Sequence, residues 1–224
     1  MSRLMRYAQD SRFLLAEDIG NPTELKAKGW TPNNVPGIGV SPFGPTGLFN
    51  GANPDFWTIP NTGLTHTVYN ATANYLTVMA WVNSSNLALS NGIMAMNGTA
   101  SGWFFYISHS NDEAYLTLKG LGMNAVSFYN TDSVIEDEWT HLACSFTVDT
   151  GTIGNNLGTM YVNGDATNTA VLRSLDPVTV AENVTIGARQ GPTIGMRGGI
   201  AYPMIVEGAL SAAEIMSIAK GRAF

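Results

Sequence analysis

The side chains able to do chemistry are few and scattered. Three acids stand together at Glu136-Asp137-Glu138. Glycoside hydrolysis requires two carboxyl groups flanking one bond, roughly 5–10 Å apart. Three consecutive acids ahead of an apolar run read instead as a solvated turn. His66, His109 and His141 are far apart in the chain, and no G-x-S-x-G elbow offers a serine nucleophile. The one cysteine, Cys144, falls on the apolar side of an alternating run, where a thiol is inert. P-loop, Rossmann and zinc-type Cys/His spacings are missing from the sequence. The expectation is a chain with no catalytic residues.

Oxygen ligands and aromatic rings are better represented. Ser108-His109-Ser110-Asn111-Asp112-Glu113 is the densest run of oxygen donors mid-chain, and Asp149 with Asn155 and Asn156 is the second. Calcium takes such ligands, so Asp112, Glu113 and Asp149 form the candidate calcium set. The same residues also serve ordinary turns between strands, and EF-hand spacing is lacking, so no obligatory cofactor is expected. Glycan binding uses aromatic rings, which carry an apolar face, beside Asn and Asp side chains. Trp103, Tyr129, Asn111 and Asp112 are the candidates.

These residues need elements to hold them. The chain has 224 residues, 45% hydrophobic and only 12% charged, with 24 Gly and 10 Pro. Asn, Ser and Thr make up about a quarter of it, a composition suited to strands and turns more than to helices. Net charge is −6. A duplex-binding surface needs clustered Lys and Arg, and 11 basic residues in all exclude nucleic acid as an expected partner. One cysteine cannot form an internal bridge, which points to synthesis in a reducing cytoplasm. The first 18 residues carry no apolar core of signal-peptide length, and no apolar run is long enough to cross a membrane.

Charge is spread unevenly. Residues 1–28 hold five basic and four acidic groups, whereas from Gly29 to Asn111 Asp55 is the lone charged residue. Either a partner covers part of this stretch, since interface cores are depleted in charge, or it is a set of Gly/Asn/Thr loops that needs none.

Strands are read at Leu76–Val82, Trp103–Ser108, Tyr115–Leu118, Thr140–Val148, Met160–Val162, Val184–Gly187 and Ile200–Val206. In Thr140–Val148 the set Leu142, Cys144, Phe146, Val148 alternates with His141, Ala143, Ser145, Thr147, the period of a half-buried strand. Asn163-Gly164 is a type I′ hairpin signal. Pro203 cannot donate a ladder hydrogen bond, so a bulge or an edge is expected there. Ser211-Ala212-Ala213-Glu214 is a capping box opening a C-terminal helix, and Gly221 is its stop. Residues 1–28 show modest helical periodicity, and the Pro/Gly density of 29–47 excludes regular structure. The fold class is all-β: a two-sheet antiparallel jelly-roll sandwich with an N-terminal extension and a short C-terminal helix.

Four passages resemble the laminin-G-like, concanavalin A-like (pentraxin-like) jelly rolls common in bacterial and phage proteins. Gly47 to Pro60 is similar to the family's opening "FxGxxDxxxIP" strands, and Leu76 to Val82 to its "fTvsaWv" strand. Glu138 to Phe146 followed by Met160 to Gly164 is similar to "WhHvaxtfd…lYvnG". Gly199 to Tyr202 through Leu210 to Ile215 is similar to "GxIdevriyxxaLSxxEI". The likeness covers about residues 46–219. It departs from the family at Ala201 and Asn163, where members often carry an acid, so the family's calcium ligands do not carry over directly. Family hydrolases carry an E-x-D-x-x-E strand that Glu136-Asp137-Glu138 does not match, and the resemblance implies a packing and hydrogen-bonding role for His141 beside Trp139.

These expectations divide the chain into an extended arm with a short helix, 1–45, and a jelly-roll domain, 46–224. Arg3, Arg6, Arg12 and Trp30 are the arm's candidate docking residues, and deleting the arm is expected to leave a folded sandwich. The first functional expectation is a non-enzymatic virion protein made in a host cytoplasm. It would decorate a phage capsid or tail, self-associate, contact capsid or tail subunits and hold host glycans weakly. The alternative is a carbohydrate-binding adhesin or lectin module, and a glucanase-type glycosidase is a remote third.

Overall fold

The computed structural model describes residues 11–51, 55–60, 74–97, 102–119, 125–148, 156–172, 183–189 and 194–221. In chain order its strands are β1 (Phe13–Ala16), β2 (Thr31–Asn33), β3 (Gly37–Ser41), β4 (Gly44–Asn50), β5 (Phe56–Ile59), β6 (Asn74–Ser84), β7 (Asn91–Asn97), β8 (Gly102–Ile107), β9 (Ala114–Lys119), β10 (Ala125–Tyr129), β11 (Thr140–Val148), β12 (Asn156–Val162), β13 (Asp165–Leu172), β14 (Val184–Ile186) and β15 (Arg197–Glu207). The helices are α1 (Pro22–Ala27) and α2 (Ala212–Ala219).

The strands form two antiparallel sheets. One runs β13-β12-β11-β6-β15-β4-β3, with β1 also paired to β15. The other runs β10-β9-β8-β7-β14-β5-β2. Alternation decides what each strand buries. In β6 and β11, Leu76, Val78, Ala80, Val82, Leu142, Cys144 and Phe146 point into the main core, where Trp57, Trp103 and Phe105 also lie. Their neighbours Met79 and Ala143 point the other way, into a second core with Tyr161, Met204 and Val206. Leu210 and the Ile215/Ile218 face of α2 close that second core from outside.

The local signals act as their chemistry dictates. Ser211 and Glu214 form both bonds of the capping box, and Gly221 follows with φ +63°. Asn163 and Gly164 both take positive φ between β12 and β13, the requirement of a type I′ turn. Ala201 pairs with Trp81 and Met204 with Met79, so Tyr202 and Pro203 bulge out opposite Ala80. Because β15 is a central strand, the proline is accommodated by a bulge and not by an edge.

The first 45 residues differ from expectation. Within 11–45, β1 pairs with β15, β2 with β5 and β3 with β4, and residue 45 lies inside β4. Leu15, Ile19, Leu25 and Trp30 belong to the main core, so this segment is part of the sandwich and not a detached arm. Phe13 and Leu14 are strand, not helix. The helix comes later, where the Asn21 side chain caps Glu24 N–H at 3.2 Å and Pro22 takes the first turn. Regular structure survives the Pro/Gly density of 29–47 because β2 and β3 are each the last strand of their sheet, where such residues are tolerated.

His141 sits on the outer side of β11 and is 1% exposed. Its ring meets Trp81 edge-on at 5.2 Å, in line with the packing role expected for it. The hydrogen bonding expected of it is not seen: neither ring nitrogen has a partner among the described residues. Burial pulls its pKa from 6.5 down to about 3. Burial likewise pushes the Cys144 thiol well up, which keeps it protonated and inert.

Two outcomes follow. The unfolded chain protonates His141 below about pH 6.5 while the folded chain resists to about 3. Stability therefore falls as pH drops through that window, by up to roughly 1.4 kcal/mol per pH unit. Glu214 adds to the loss only below its usual 4.5, because bonds from Ser211 and Arg12 outweigh burial and hold its pKa down. Melting between pH 6.5 and 5 should become nearly flat in His141→Gln, and an unchanged slope would show that His141 is not the group responsible. Deleting residues 1–45 strips three strands and Trp30 from the sheets, so the product should lack cooperative melting by circular dichroism.

Candidate functional site

Three loops meet at one end of the sandwich: 85–90 between β6 and β7, 108–113 between β8 and β9, and 130–139 between β10 and β11. Backbone bonds fix them to one another. Val134 N–H donates to the Asp112 carbonyl at 2.7 Å, and Asp137 N–H to the Ser84 carbonyl at 2.8 Å. The Glu136 carboxylate accepts the Leu87 N–H at 2.9 Å, and the Ser90 hydroxyl lies 2.9 Å from His109 Nδ1. Asp112 and Asp137 hold left-handed turns at φ +57° and +61°, where Asp is among the residues that tolerate the conformation.

An open groove of about 520 Å³ lies between these loops, in the range of small-ligand sites (roughly 300–1,000 Å³). His109, Asp112 and Glu136 supply its polar side, and Leu87, Val134 and Ile135 its apolar side. The neighbouring Glu113 engages a different set. Asn111 Nδ2 donates to Glu113 and, at 2.9 Å, to the Tyr115 hydroxyl, which itself donates to Glu113 at 3.2 Å. A fixed amide and carboxylate thus stand beside a tyrosine.

That tyrosine belongs to a ladder on the outer face of the seven-stranded sheet. Phe104 and Tyr106 are 5.1 Å apart, Tyr106 and Tyr115 5.4 Å, and Tyr115 and Tyr129 5.4 Å, with the last two pairs stacked. Arg189 lies 4.1 Å over Phe104 at the far end. The rings lie near-parallel, face toward face, so most faces are covered by neighbours. Tyr129 is the exception. It ends the ladder and is 42% exposed, with Asn168 of β13 donating to its carbonyl at 2.9 Å. Tyr106 has its pKa raised, first by burial, and stays a neutral hydroxyl.

The sequence candidates sort accordingly. Asn111, Asp112 and Tyr129 come together at this end. Trp103 does not, because it lies in the main core fully buried. The run Trp103-Phe104-Phe105-Tyr106 alternates, and parity turns Trp103 and Phe105 inward. Trp30 is a core residue too, its Nε1 donating to Glu17 at 3.2 Å, which leaves nothing for docking. Arg12 is held by Glu214 at 3.0 Å and ties the first strand to α2. Arg3, Arg6 and Asp149 lie outside the described residues. Asp112 and Glu113 face different surroundings, the groove and the tyrosines, because adjacent side chains diverge. Among the described residues no three His, Cys, Asp or Glu side chains gather to hold a metal.

Sequence reading missed His109 and Glu136 as groove residues and Tyr106 and Tyr115 as ladder residues. The ladder's signal was present as alternation in β8 and β9, but the cross-strand register that aligns the rings was not. At Glu136-Asp137-Glu138, Glu136 serves the Leu87 N–H and Asp137 makes the turn.

The contrast between Trp103 and Tyr129 is measurable. Trp103→Ala should cost about 3–5 kcal/mol in denaturant unfolding, whereas Tyr129→Ala should stay within about 1 kcal/mol. Equal costs would contradict the parity assigned to β8.

Searches of known proteins agree with this architecture. No curated protein matches the sequence. Among solved structures, domain 4 of the extracellular GH43 arabinanase AbnA from Geobacillus stearothermophilus, in complex with arabinotriose, has a TM-score of 0.70 at 15% identity. That match covers 93% of this chain and 98% of the other. The binding domain of Paraclostridial Mosquitocidal Protein 1 has a TM-score of 0.70 at 11% identity, covering 93% of this chain and 52% of its own. A botulinum neurotoxin type C structure, described as showing cell entry dependent upon interaction with two ganglioside molecules, has a TM-score of 0.60 at 14% identity over 85% of this chain and 46% of the other. The chain therefore spans about half of the toxin structures it matches. At these identities the likeness is one of fold. A family model matches residues 58–216, and the chain belongs to the concanavalin A-like lectin/glucanases superfamily.

Proposed function

We propose that this chain is a non-enzymatic carbohydrate-recognition module working through the loop end around Asn111, Asp112 and Tyr129. The observation that carries the reading is the tyrosine ladder ending in the solvent-exposed Tyr129, beside the fixed Asn111–Glu113–Tyr115 cluster. A sugar ring presents an apolar C–H face and a rim of hydroxyls. The first suits an aromatic face, and the second suits amide and carboxylate groups that can donate and accept. The adjoining groove adds Asp112 and His109 with an apolar wall, enough for a second sugar unit. The arabinotriose bound by domain 4 of the arabinanase lends support by analogy of fold alone. Binding without hydrolysis accords with the engagement of Glu136 by a backbone N–H.

A second reading is a virion subunit that decorates a phage capsid or tail, with other virion proteins as partners. Two observations favour it: the run from Gly29 to Asn111 with Asp55 as its lone charge, and apolar side chains exposed at Val35, Ile38 and Val40. Both roles can reside in one protein, since a virion module can hold host glycans. Particle proteomics and immunogold labelling of purified particles test it, and absence of the protein from them would remove it.

Retention on immobilised polysaccharides and on a glycan array tests the first reading. Tyr129→Ala should weaken binding roughly 2–10-fold, the worth of about 0.5–1.5 kcal/mol of ring contact, and Asp112→Asn should weaken it as well. Chelation with EDTA should change nothing; a loss would return calcium as a cofactor. No binder at high protein concentration would sink the reading. Release of reducing sugar, lost in Glu136→Gln and Glu138→Gln, would replace it with a glucanase.

A further inference from the structure

We infer that the free edge of β3 is a self-association surface and that its partner is β3 of a second copy of this chain. β3 is the last strand of the eight-stranded sheet. Its ladder to β4 runs from Gly37↔Leu48 to Ser41↔Gly44 without a register shift, and no other described strand pairs with it. An edge strand presents unpaired backbone N–H and C=O groups, and monomeric proteins protect such edges with Lys, Pro, bulges or covering loops. This edge has none of the first three between Gly37 and Ser41.

It is also apolar and uncovered. Ile38 is 60% exposed and Val40 88%, with Val35 at 57% just before the strand. Ile38 and Val40 share one face, opposite Gly47 and Pro45 of β4. On the other face Leu48 lies over Gly39 and is 43% exposed. Apolar groups on both faces of a free edge suit a continuing strand better than a flat ligand.

A second copy fits by symmetry and by charge. A two-fold axis through Gly39 pairs antiparallel strands so that Ile38 faces Val40 of the copy and Val40 faces its Ile38. Four branched apolar side chains then form one cluster, and such cross-strand pairs are the unit of sheet stabilisation. The same operation lays Leu48 of each copy beside the axis on the other face. This is an isologous contact that closes at two subunits. A surface without charges meets its own copy without repulsion, and residues 29–54 carry no Asp, Glu, Lys or Arg, in a chain of net charge −6. Pro36 and Pro42 bracket the strand, which limits the pairing to the five residues between them and fixes its register.

The test is the solution mass of the full chain across the micromolar range by light scattering and analytical ultracentrifugation. The expected result is a dimer of two 23.9 kDa chains. Val40→Lys places like charges across the axis and should raise the dimer dissociation constant about a hundredfold or more. Melting of the dissociated chain, compared with wild type at concentrations below the dimer dissociation constant, should be unchanged, because position 40 is solvent-exposed in the single chain. Mixed Ile38→Cys and Val40→Cys chains should cross-link on oxidation faster than either variant alone, while buried Cys144 stays silent. A monomeric wild type, a Val40→Lys chain that remains dimeric, or a dimer whose mixed chains do not cross-link would each overturn the inference. Glycan binding is read separately, so a lost dimer and a lost sugar site are distinguishable.

Discussion

The structure depends on the pairing of β6 with β11 on one side and β15 on the other. Strand periodicity gives each of these strands two faces, and here both are buried. The inner faces meet the opposite sheet across the main core. The outer faces meet α2, β1 and the aromatic group of Phe43, Trp81 and Trp139. A one-residue slip would exchange the two sets, sending Val78 and Cys144 outward and His141 inward. Such double coverage explains why His141 is buried on what would otherwise be a solvent face, and why it stays neutral there.

The bulge at Tyr202-Pro203 belongs to the same constraint. β15 has to pair with β6 along its length while carrying a residue that cannot donate. Adding one residue keeps Met204 and Val206 on the outer face and directs the Tyr202 hydroxyl to the Phe43 carbonyl at 2.8 Å. The turn between β3 and β4 is thereby tied to the centre of the sheet. The loop end owes its order to another set of ties: Asn91, fully buried, accepts Arg197 N–H at 2.9 Å and donates to the Asn86 and Leu89 carbonyls. A rigid scaffold holding polar loops is the usual placement of a binding site.

Charge depletion between Gly29 and Asn111 has two sources that the sequence could not separate. Much of the stretch is strand interior: Ile93, Met94, Ala95 and Met96 of β7 are fully buried, and a strand covered on both faces has no place for charge. The remainder is surface that is apolar at β3. Burial of β7 is thus a source of the depletion that neither reading of the stretch contained.

Fold class, the Asn163-Gly164 hairpin, the capped α2, the Pro203 bulge and the inward set of β11 were legible in the chain because each rests on local chemistry: a turn conformation, a cap, a missing donor, a period of two. β7 was not, since Met and Ala carry no strand preference and its burial on both faces erases alternation. β1 and β2 were not, because their pairing partners β15 and β5 lie far away in the sequence; β3 pairs with the adjacent β4, but its Gly residues and flanking prolines mask the strand signal. The Asn21-Pro22-Thr23-Glu24 cap of α1 was a local sign that this segment is ordered. At the candidate site, residue types were readable at Asn111, Asp112 and Tyr129. Whether an aromatic residue faced core or solvent was not, as the opposite fates of Trp103 and Tyr129 demonstrate. Parity within a strand is written locally, but which parity is inside is decided by the sheet that packs against it.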